Sequence, residues 1–374
     1  MKTEYEEGFL SGMKPTESFL LFLGRKEGTI MPTTMNYTPV IIADTSDMDE
    51  ATWHTYRRQG LGGSDIAAVY GQSPFCTARD LYYVKLGVKP EIEEEENWVA
   101  KKYGHLLEDL VAEIFSRKTG YRVYKKSYLY AHPDYPFMQA NVDYFVELPD
   151  GSEAILECKT CNYNCRDKWD NDAVPFNYEL QVRHYMAVTN LQCAFVACLY
   201  GNNDNEFVYR TVERDPDFEA DMIEQEKYFW FENVKAGVEP PYTESGELVL
   251  ASIRKYKGKA DPSAAAVKLD PTFAAILERY QLIREDKLKL EREAEKLDKE
   301  LKTVIVPVID KLGRACIGSC VKDGVEYMIT YKPTYRTGIS GDNLTRLEAQ
   351  HKNIFDEFAT KTESRRVFIK QRSV

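Results

Sequence analysis

Two strands joined by a tight turn are predicted for residues 141–160, which read NVDYFVELPDGSEAILECKT. Aromatic and β-branched residues fill both arms, and the Pro-Asp-Gly between them is a turn sequence. Because side chains alternate along a strand, Glu157 and Lys159 share one face and Cys158 points to the other. If Asp143 on the first arm faces the same way, two carboxylates and an ammonium group converge on the sheet.

Helices and further strands are predicted on both sides of this hairpin. Amphipathic periods with capping residues indicate helices, whereas short runs of aromatic and β-branched residues indicate strands. The predicted helices are 48–58, 66–70, 77–86, 98–119, 177–189 and 218–236, and the predicted strands are 122–130, 138–146, 152–160, 193–200 and 207–212. This order predicts an α/β (α+β) fold with a mixed central sheet flanked by helices.

The polar residues of the hairpin are of the types that bind a divalent cation. Carboxylate oxygens are hard ligands suited to Mg²⁺ or Mn²⁺, and a lysine beside them, Lys159, could orient or deprotonate a water molecule. Glu108, on the helix before the strands, could supply a third carboxylate. The alternative is structural: Lys159 forms a salt bridge with Glu157 or Asp143, and Glu108 lies on a solvated helix face.

A glycine-rich segment, GLGGSD at residues 60–65, follows the predicted helix that carries Arg57. Glycines let a backbone approach an anion, the start of the next helix offers free N–H groups, and arginine binds phosphate in a bidentate manner. The alternative is a simple turn. Farther along, Gln181 and Tyr185 lie one helical turn apart on a shared face, where the alternative is a capping amide beside a half-buried aromatic ring.

Taken in order, these motifs resemble the phage-type exonucleases of the YqaJ/lambda exonuclease group, within the PD-(D/E)xK nuclease superfamily. The resemblance runs from Trp53 to about Tyr200. The motifs are Arg57-x6-Ser64, Gly104-x3-Glu108, Asn141-Val142-Asp143, Glu157-Cys158-Lys159 and Tyr178-x2-Gln181-x3-Tyr185-Met186. Two positions depart from the pattern of the group, because Tyr144 stands where a glycine is common and Arg183 replaces a frequent glutamine.

The resemblance implies a role for each motif residue. Two divalent ions per site, Mg²⁺ or Mn²⁺, would be bound by Glu108, Asp143, Glu157 and the Cys158 carbonyl. Lys159 would position the attacking water. The 5′-phosphate of the DNA strand would be bound by Arg57, Ser64 and Gln181.

The activity implied by the resemblance is 5′→3′ degradation of linear double-stranded DNA, which leaves 3′ single-stranded tails for phage or prophage recombination in a bacterial cytoplasm. Double-stranded DNA ends, a single-strand annealing protein of the RecT/Beta type and a ring-shaped homo-oligomer are the implied partners. Two other readings stay open: a catalytically silent module that binds DNA ends, and an assembly protein.

The predicted domain organisation is a leader at 1–45, a YqaJ-like exonuclease domain at 46–236, a linker at 237–270 and a helical, basic accessory region at 271–374. The net charge of −11 is uneven, at −18 for residues 1–250 and +7 for 251–374. A heptad-like seam of apolar residues in region 271–374 indicates a long helix. This seam is the basis of the interpretation as an assembly protein. Its members are Ile276, Tyr280, Ile283, Leu290, Ala294, Leu297, Leu301 and Val304.

Two features of the sequence, its eight cysteines and the lack of a long apolar run, are informative about the cellular compartment of the protein. A membrane-spanning helix needs about 18 apolar residues, so no membrane partner is expected and the cysteines are expected to be reduced thiols of a cytoplasmic protein. Cys158, Cys161 and Cys165 have a rival interpretation as ligands of an iron–sulfur cluster. Against it, strand alternation turns Cys158 away, and a cluster normally takes four thiolates.

Overall fold

The computed structural model describes residues 37–92, 98–333 and 339–359, and the chain divides into two units, Met1–Asp261 and Pro262–Val374. The described helices of the first unit are α1 (Glu50–Arg58), α2 (Gly63–Val69), α3 (Ala78–Leu86), α4 (Trp98–Thr119), α5 (Phe176–Thr189), α6 (Pro216–Tyr228) and α7 (Gly246–Lys257). Its strands are β1 (Val40–Asp44), β2 (Leu61–Gly62), β3 (Arg122–Tyr124), β4 (Tyr128–Ala131), β5 (Met138–Ala140), β6 (Tyr144–Glu147), β7 (Glu153–Thr160), β8 (Cys193–Leu199) and β9 (Phe207–Glu213). A 3₁₀ stretch, Tyr163–Asp172, precedes α5, and a π-helical stretch, Phe229–Lys235, continues α6.

A five-stranded sheet forms the centre of the first unit, in the order β3-β6-β7-β8-β9. Strands β6 and β7 pair antiparallel, with Tyr144 opposite Leu156, so the predicted hairpin is confirmed. Strands β7 and β8 are parallel, and α5 lies between them in the chain as the crossover that a parallel pair needs. The predicted mixed central sheet flanked by helices is therefore confirmed.

A second sheet, with four strands in the order β1-β4-β5-β2, takes part of two strands that the sequence predicted as continuous. The prediction for 122–130 was wrong because the chain leaves the central sheet after Tyr124 and pairs in the second sheet from Tyr128. The prediction for 138–146 was wrong in the same way, since β5 and β6 belong to different sheets. Asp143 lies at this change of sheet, immediately before β6.

The two faces of the central sheet are covered by different helices. Ile155 of β7 belongs to the same core as Met186 of α5, whereas Leu156 belongs to the core that contains Phe115 of α4. Leu156 and Phe115 are fully buried, and burying a side chain of this size contributes about 1.5–3 kcal/mol. The alternation of β7 therefore separates the residues that face α5 from those that face α4.

Both ends of the first unit differ from the predicted domain boundaries. Residues 1–36 of the predicted leader lie outside the described residues, but β1 pairs with β4 and is part of the second sheet. The predicted linker was wrong at its start, because α7 packs on α3: the buried Ser252 hydroxyl donates to Asp80 Oδ1 at 2.8 Å. The Arg79 guanidinium also donates to the Pro240 carbonyl at 2.8 Å, which anchors the proline-containing stretch.

The second unit contains helix α8 (Phe273–Leu312), the hairpin β10 (Ile317–Lys322) and β11 (Val325–Thr330), and the short helices α9 (Gly341–Gln350) and α10 (Lys352–Phe358). Asp323 and Gly324 both have positive φ, +51° and +77°, which suits the two-residue turn of a twisted hairpin. Helix α8 contains the predicted heptad-like seam, and Leu290, for example, is 66% exposed. In the part of the chain that the structure describes, no helix combines the length and the apolar character that crossing a membrane requires.

Candidate active site

Strand β7 presents Glu157 and Lys159 on the face that turns toward α5, as the alternation predicted. Glu157 is only 2% exposed, and Cys158 lies in the opposite core, against α4. The carboxylate of Asp143 reaches the same strand, because its Oδ2 accepts a hydrogen bond from the Cys158 backbone N–H at 3.0 Å. The antiparallel pairing of β6 and β7 thus brings together two acidic residues that are fourteen positions apart in the sequence.

Lys159 is held by a network that includes the predicted helix residue Gln181. Its Nζ donates to Glu157 Oε1 at 2.5 Å and to Gln181 Oε1 at 3.1 Å. Gln181 Nε2 in turn donates to Glu157 Oε1 at 2.6 Å and to the Tyr185 hydroxyl at 3.1 Å. The salt bridge of the structural alternative is therefore present, and it is part of a larger polar cluster that no short motif could reveal.

The environment of Glu157 makes its negative charge costly. Burial raises its pKa to about 8, the nearby Asp143 and Glu108 carboxylates act in the same direction, and Lys159 only partly offsets them. Its second oxygen, Oε2, is buried without a hydrogen-bond partner among the described residues. Burial alone would lower the pKa of Lys159, but the charges of Glu157 and Asp143 raise it above its ordinary value, so the ammonium form is favoured.

Glu108 approaches the same cleft from helix α4. Its Oε1 lies 2.9 Å from His105 Nδ1, one helical turn earlier. Burial and the Asp143 carboxylate both raise the pKa of Glu108. The three acidic residues therefore share one electrostatic environment, although they come from a helix, a strand start and a strand interior.

The donor set matches a divalent cation in its chemistry, although not in the present placement of its side chains. As placed, no three His, Cys, Asp or Glu side chains of the described residues enclose a point that could hold an ion. The chemistry of the set nevertheless fits, because Glu157 Oε2 is buried and unsatisfied and burial raises the pKa of Glu108, Asp143 and Glu157 alike. A hard cation would satisfy that oxygen and offset the repulsion, once Glu108 turns from His105.

Arg57 lies at the other side of the cleft, on the last turn of α1. Its Nη2 donates to the Ser64 hydroxyl at 3.0 Å and to Asp65 Oδ1 at 2.7 Å. Asp65 Oδ2 accepts from the Lys85 ammonium at 2.6 Å and from the Gly62 N–H at 2.9 Å. Sequence reasoning missed Lys85, whose only signal was a charged residue inside the otherwise apolar stretch Leu81–Leu86 of a predicted helix.

The glycines of the 60–65 segment allow close packing, in addition to the approach to an anion that the sequence suggested. A Cβ on Gly63 would lie 2.5 Å from Tyr185 Cε1 and 2.9 Å from the Gln181 carbonyl oxygen. The absence of a side chain therefore lets α2 sit directly against α5. This contact brings Ser64 and Gln181 to the same cleft.

A single cleft of about 960 Å³ contains all of the predicted site residues. It is bordered further by aromatic and basic residues at the start of α4, which the sequence reasoning did not assign to the site. The predicted residues in its lining are Arg57, Ser64, Glu108, Asp143, Glu157, Cys158, Lys159 and Gln181, and the unassigned ones from α4 include Trp98, Lys101 and Lys102.

Comparison with known proteins agrees with this arrangement. Residues 52–192 match the YqaJ-like viral recombinase domain, a segment that contains every residue of the predicted site. By this similarity, residues 52–192 form a YqaJ-like domain. The YqaJ protein of Bacillus subtilis (strain 168) is 29% identical over 334 residues, which cover 88% of this chain and 97% of that protein. The resemblance inferred from the ordered motifs is confirmed.

Several solved structures are similar to this chain over about half of its length. The alkaline exonuclease LHK-Exo from Laribacter hongkongensis is 20% identical, with a TM-score of 0.41, over 50% of this chain and 94% of that one. Its complex with dAMP gives 21% identity and a TM-score of 0.42, with the same coverage. A phage related exonuclease from Haemophilus somnus 129PT is 12% identical, with a TM-score of 0.34, over 47% and 96% of the two chains.

The two departures from the group's sequence pattern lie outside the cleft of the YqaJ-like domain. The Tyr144 hydroxyl donates to Asp109 of α4, on the opposite face of the sheet. The Arg183 guanidinium donates to Glu179 Oε1 at 2.7 Å, one turn earlier on α5. Neither residue is part of the cleft lining.

The cysteines of the YqaJ-like domain do not assemble a cluster site in the described part of the chain. Cys158 packs in the core against α4, whereas Cys161 packs on the other core, with its Sγ 3.5 Å from Cys198 Sγ. Burial raises the pKa of all three thiols, so the neutral form is favoured. These observations favour structural thiols over the iron–sulfur interpretation.

Proposed function

We propose that the YqaJ-like domain is a divalent-metal-dependent 5′→3′ exonuclease that acts on linear double-stranded DNA and leaves 3′ single-stranded tails. The observation that carries the proposal is the buried, unpartnered Glu157 Oε2, which shares a cleft with Asp143, Lys159 and Arg57. Buried carboxylate oxygens are normally hydrogen-bonded or bound to a cation, so this oxygen, which lies beside other acidic residues, supports a cation-binding place in the cleft.

The acidic side of the cleft is proposed to hold one or two Mg²⁺ or Mn²⁺ ions, through Glu108, Asp143, Glu157 and the Cys158 carbonyl. Such a cation would lower the pKa of an attacking water and stabilise negative charge on a phosphoryl oxygen. Lys159 would hold that water by hydrogen bonding. Its ammonium is already fixed by Glu157 and Gln181, so its position needs little reorganisation.

The basic side of the cleft is proposed to bind the terminal 5′-phosphate through Arg57, Ser64 and Gln181. A terminal phosphate monoester carries more negative charge than an internal phosphodiester, and arginine recognises it through paired N–H donors. Binding of this group at a fixed distance from the acidic residues would make cleavage start at a 5′ end. This arrangement supports an exonuclease over an endonuclease.

The product would be a duplex with 3′ tails, the substrate of a single-strand annealing protein of the RecT/Beta type. The match to a viral recombinase domain supports a role in phage-type recombination, in the cytoplasm of a bacterial host. A ring-shaped homo-oligomer around the DNA remains part of the proposal. The exposed seam of α8 is a surface through which copies of the chain could associate.

The test compares the wild-type protein with Asp143→Asn and Lys159→Ala on uniformly labelled linear duplex DNA, with Mg²⁺ and with EDTA. Lys126→Ala is the matched control, because it removes a lysine that pairs with Glu153 outside the cleft. We expect metal-dependent nucleotide release by the wild type and the control, and at least about a hundredfold loss in the two site variants. Release at the wild-type rate from either site variant would contradict the proposed mechanism. Metal-independent end binding without cleavage by the wild type would favour the silent binding module.

A further inference from the structure

A buried lysine supports the phosphate-binding side of the cleft without lining it. The Lys85 side chain is 1% exposed, and its Nζ lies 2.6 Å from Asp65 Oδ2 and 2.7 Å from the Arg57 carbonyl oxygen. Asp65, 7% exposed at its side chain, is therefore shared between Lys85 and the Arg57 guanidinium. Lys85 comes from α3, so three separate segments of the chain meet at this carboxylate.

The charges of Lys85, Asp65 and Arg57 do not cancel. Lys85 and Arg57 are both ion-paired with Asp65, so two positive charges face one negative charge and one positive charge is in excess. Burial lowers the pKa of Lys85, and the Asp65 carboxylate 2.6 Å away opposes that shift and favours the ammonium form. Although burial alone would raise the pKa of Asp65, its two cationic neighbours hold it below the ordinary value, so the carboxylate is charged. Of the three side chains, Arg57 is the most exposed, at 37%, and it lines the cleft.

The position of the excess charge follows from the geometry. If Asp65 faced Arg57 alone, the two would form a neutral ion pair, and the guanidinium would have little net charge to offer a ligand. Because Lys85 already neutralises Asp65 from the buried side, the charge of Arg57 remains available in the cleft. The hydrogen bonds described for the Arg57 side chain both use Nη2, which leaves the donors of Nη1 and Nε for a phosphate.

We propose that Lys85 is a positioning residue that makes the domain selective for 5′-phosphorylated DNA ends, by neutralising Asp65 so that Arg57 presents a full positive charge to the terminal phosphate. This inference rests on the proposed function, since it assigns the selectivity of the same cleft. Lys85 is buried behind Asp65 and acts on the phosphate only through Arg57. Its effect is therefore on recognition of the end, whereas the acidic residues and Lys159 act on cleavage.

The test uses the full chain and blunt duplex DNA that carries either a 5′-phosphate or a 5′-hydroxyl. Equilibrium binding is measured in EDTA, and cleavage is measured with Mg²⁺, for the wild type, Lys85→Met, Asp65→Asn and the Asp65→Asn/Lys85→Met double variant. Arg214→Met is the matched control, because it breaks a similarly buried ion pair with Glu219, at 2.6 Å, outside the cleft. Circular dichroism reports the folding of every variant.

For Lys85→Met we expect the preference for 5′-phosphate in binding to fall about tenfold or more, with KM rising for phosphorylated ends and kcat on 5′-hydroxyl ends unchanged. The double variant should regain most of the preference, because without the Asp65 carboxylate no negative charge neutralises Arg57. Asp65→Asn alone should keep the preference within about threefold, which tests the inference even if Lys85→Met does not fold. A double variant that stays as impaired as Lys85→Met, or a loss of preference in Asp65→Asn, would overturn it.

Two outcomes separate this inference from the proposed function. A wild-type protein that prefers 5′-phosphate in binding but cleaves nothing would contradict the nuclease proposal, and the role of Lys85 would still be decided by the binding data. A wild-type protein that cleaves but binds both ends equally would overturn the role of Lys85 and leave the nuclease proposal standing.

Discussion

The His184 imidazole and the Glu226 carboxylate form a fully buried pair, with Nδ1 2.8 Å from Oε1. The pair joins α5 to α6, and His184 Nε2 also lies 2.9 Å from the Gln139 carbonyl oxygen of β5. Gln139 lines the cleft, so this pair ties the second sheet to the helix that carries Gln181. The pair is thus part of the framework that supports the site.

The stability of the chain should depend on pH through this pair. Burial alone would lower the pKa of His184, but Glu226 raises it above the ordinary 6.5, and burial raises the pKa of Glu226. Both shifts mean that the folded state holds a proton more tightly than the unfolded state. The stabilisation is therefore present at low pH and is lost as pH rises, from about 4.5 for Glu226 and from about 6.5 for His184. We expect the wild type to lose about 1 kcal/mol relative to Glu226→Gln between pH 6 and pH 8.5, as measured by urea unfolding. Parallel pH profiles for the two proteins would contradict this.

Replacing Gly63 by alanine should damage both stability and the site. The added Cβ would meet the Tyr185 ring at 2.5 Å and the Gln181 carbonyl at 2.9 Å, which forces α2 away from α5. Such overpacking costs about 1–3 kcal/mol, measurable by thermal or urea unfolding. Gly246→Ala is the control, since its Cβ would meet nothing within 4 Å at the start of α7, and it should be neutral or slightly stabilising. Equal stability of the two variants would exclude the close packing of α2.

Divalent cations should stabilise the chain through the acidic residues of the cleft. A cation that satisfies Glu157 Oε2 and screens Asp143 binds only the folded state, so Mn²⁺ or Mg²⁺ should raise Tm in proportion to its occupancy. Thermal unfolding with increasing Mn²⁺ measures this without DNA or catalysis. Asp143→Asn should show a smaller rise, and Asp109→Asn, on the α4 side of the sheet and outside the cleft, should behave as the wild type. The same rise in Asp143→Asn as in the wild type would place the cation elsewhere.

Local signals in the sequence predicted most of the elements. Thr77 caps α3 with a reciprocal hydrogen bond to Asp80, and the glycine at 120 follows the end of α4, so both helices could be placed from residue type alone. The division of two strands between two sheets could not, because neither 125–127 nor 141–143 contains a glycine or proline that would mark the end of a strand. Which sheet a short strand joins depends on partners far along the chain.

The site was predictable where it followed alternation or a motif, and unpredictable where it depended on long-range packing. Glu157 and Lys159 share a face because of their spacing, and the ordered motifs indicated Glu108, Asp143 and Gln181. The link between Lys85 and Asp65 spans twenty residues and two helices, and no pattern in the sequence connects them. The glycine at 63 was interpreted through its backbone freedom, whereas its packing against Tyr185 required the coordinates.

The measurement that tests the central claim most directly uses linear duplex DNA labelled separately at the 5′ and the 3′ ends. Each substrate is prepared with and without a 5′-phosphate and incubated with Mg²⁺ or EDTA, and the products are separated by size over time. We predict Mg²⁺-dependent release of the 5′ label as mononucleotide, faster from phosphorylated ends, while the 3′ label stays on long single strands. Early release of the 3′ label, internal cuts, or no cleavage with Mg²⁺ or Mn²⁺ would contradict the account.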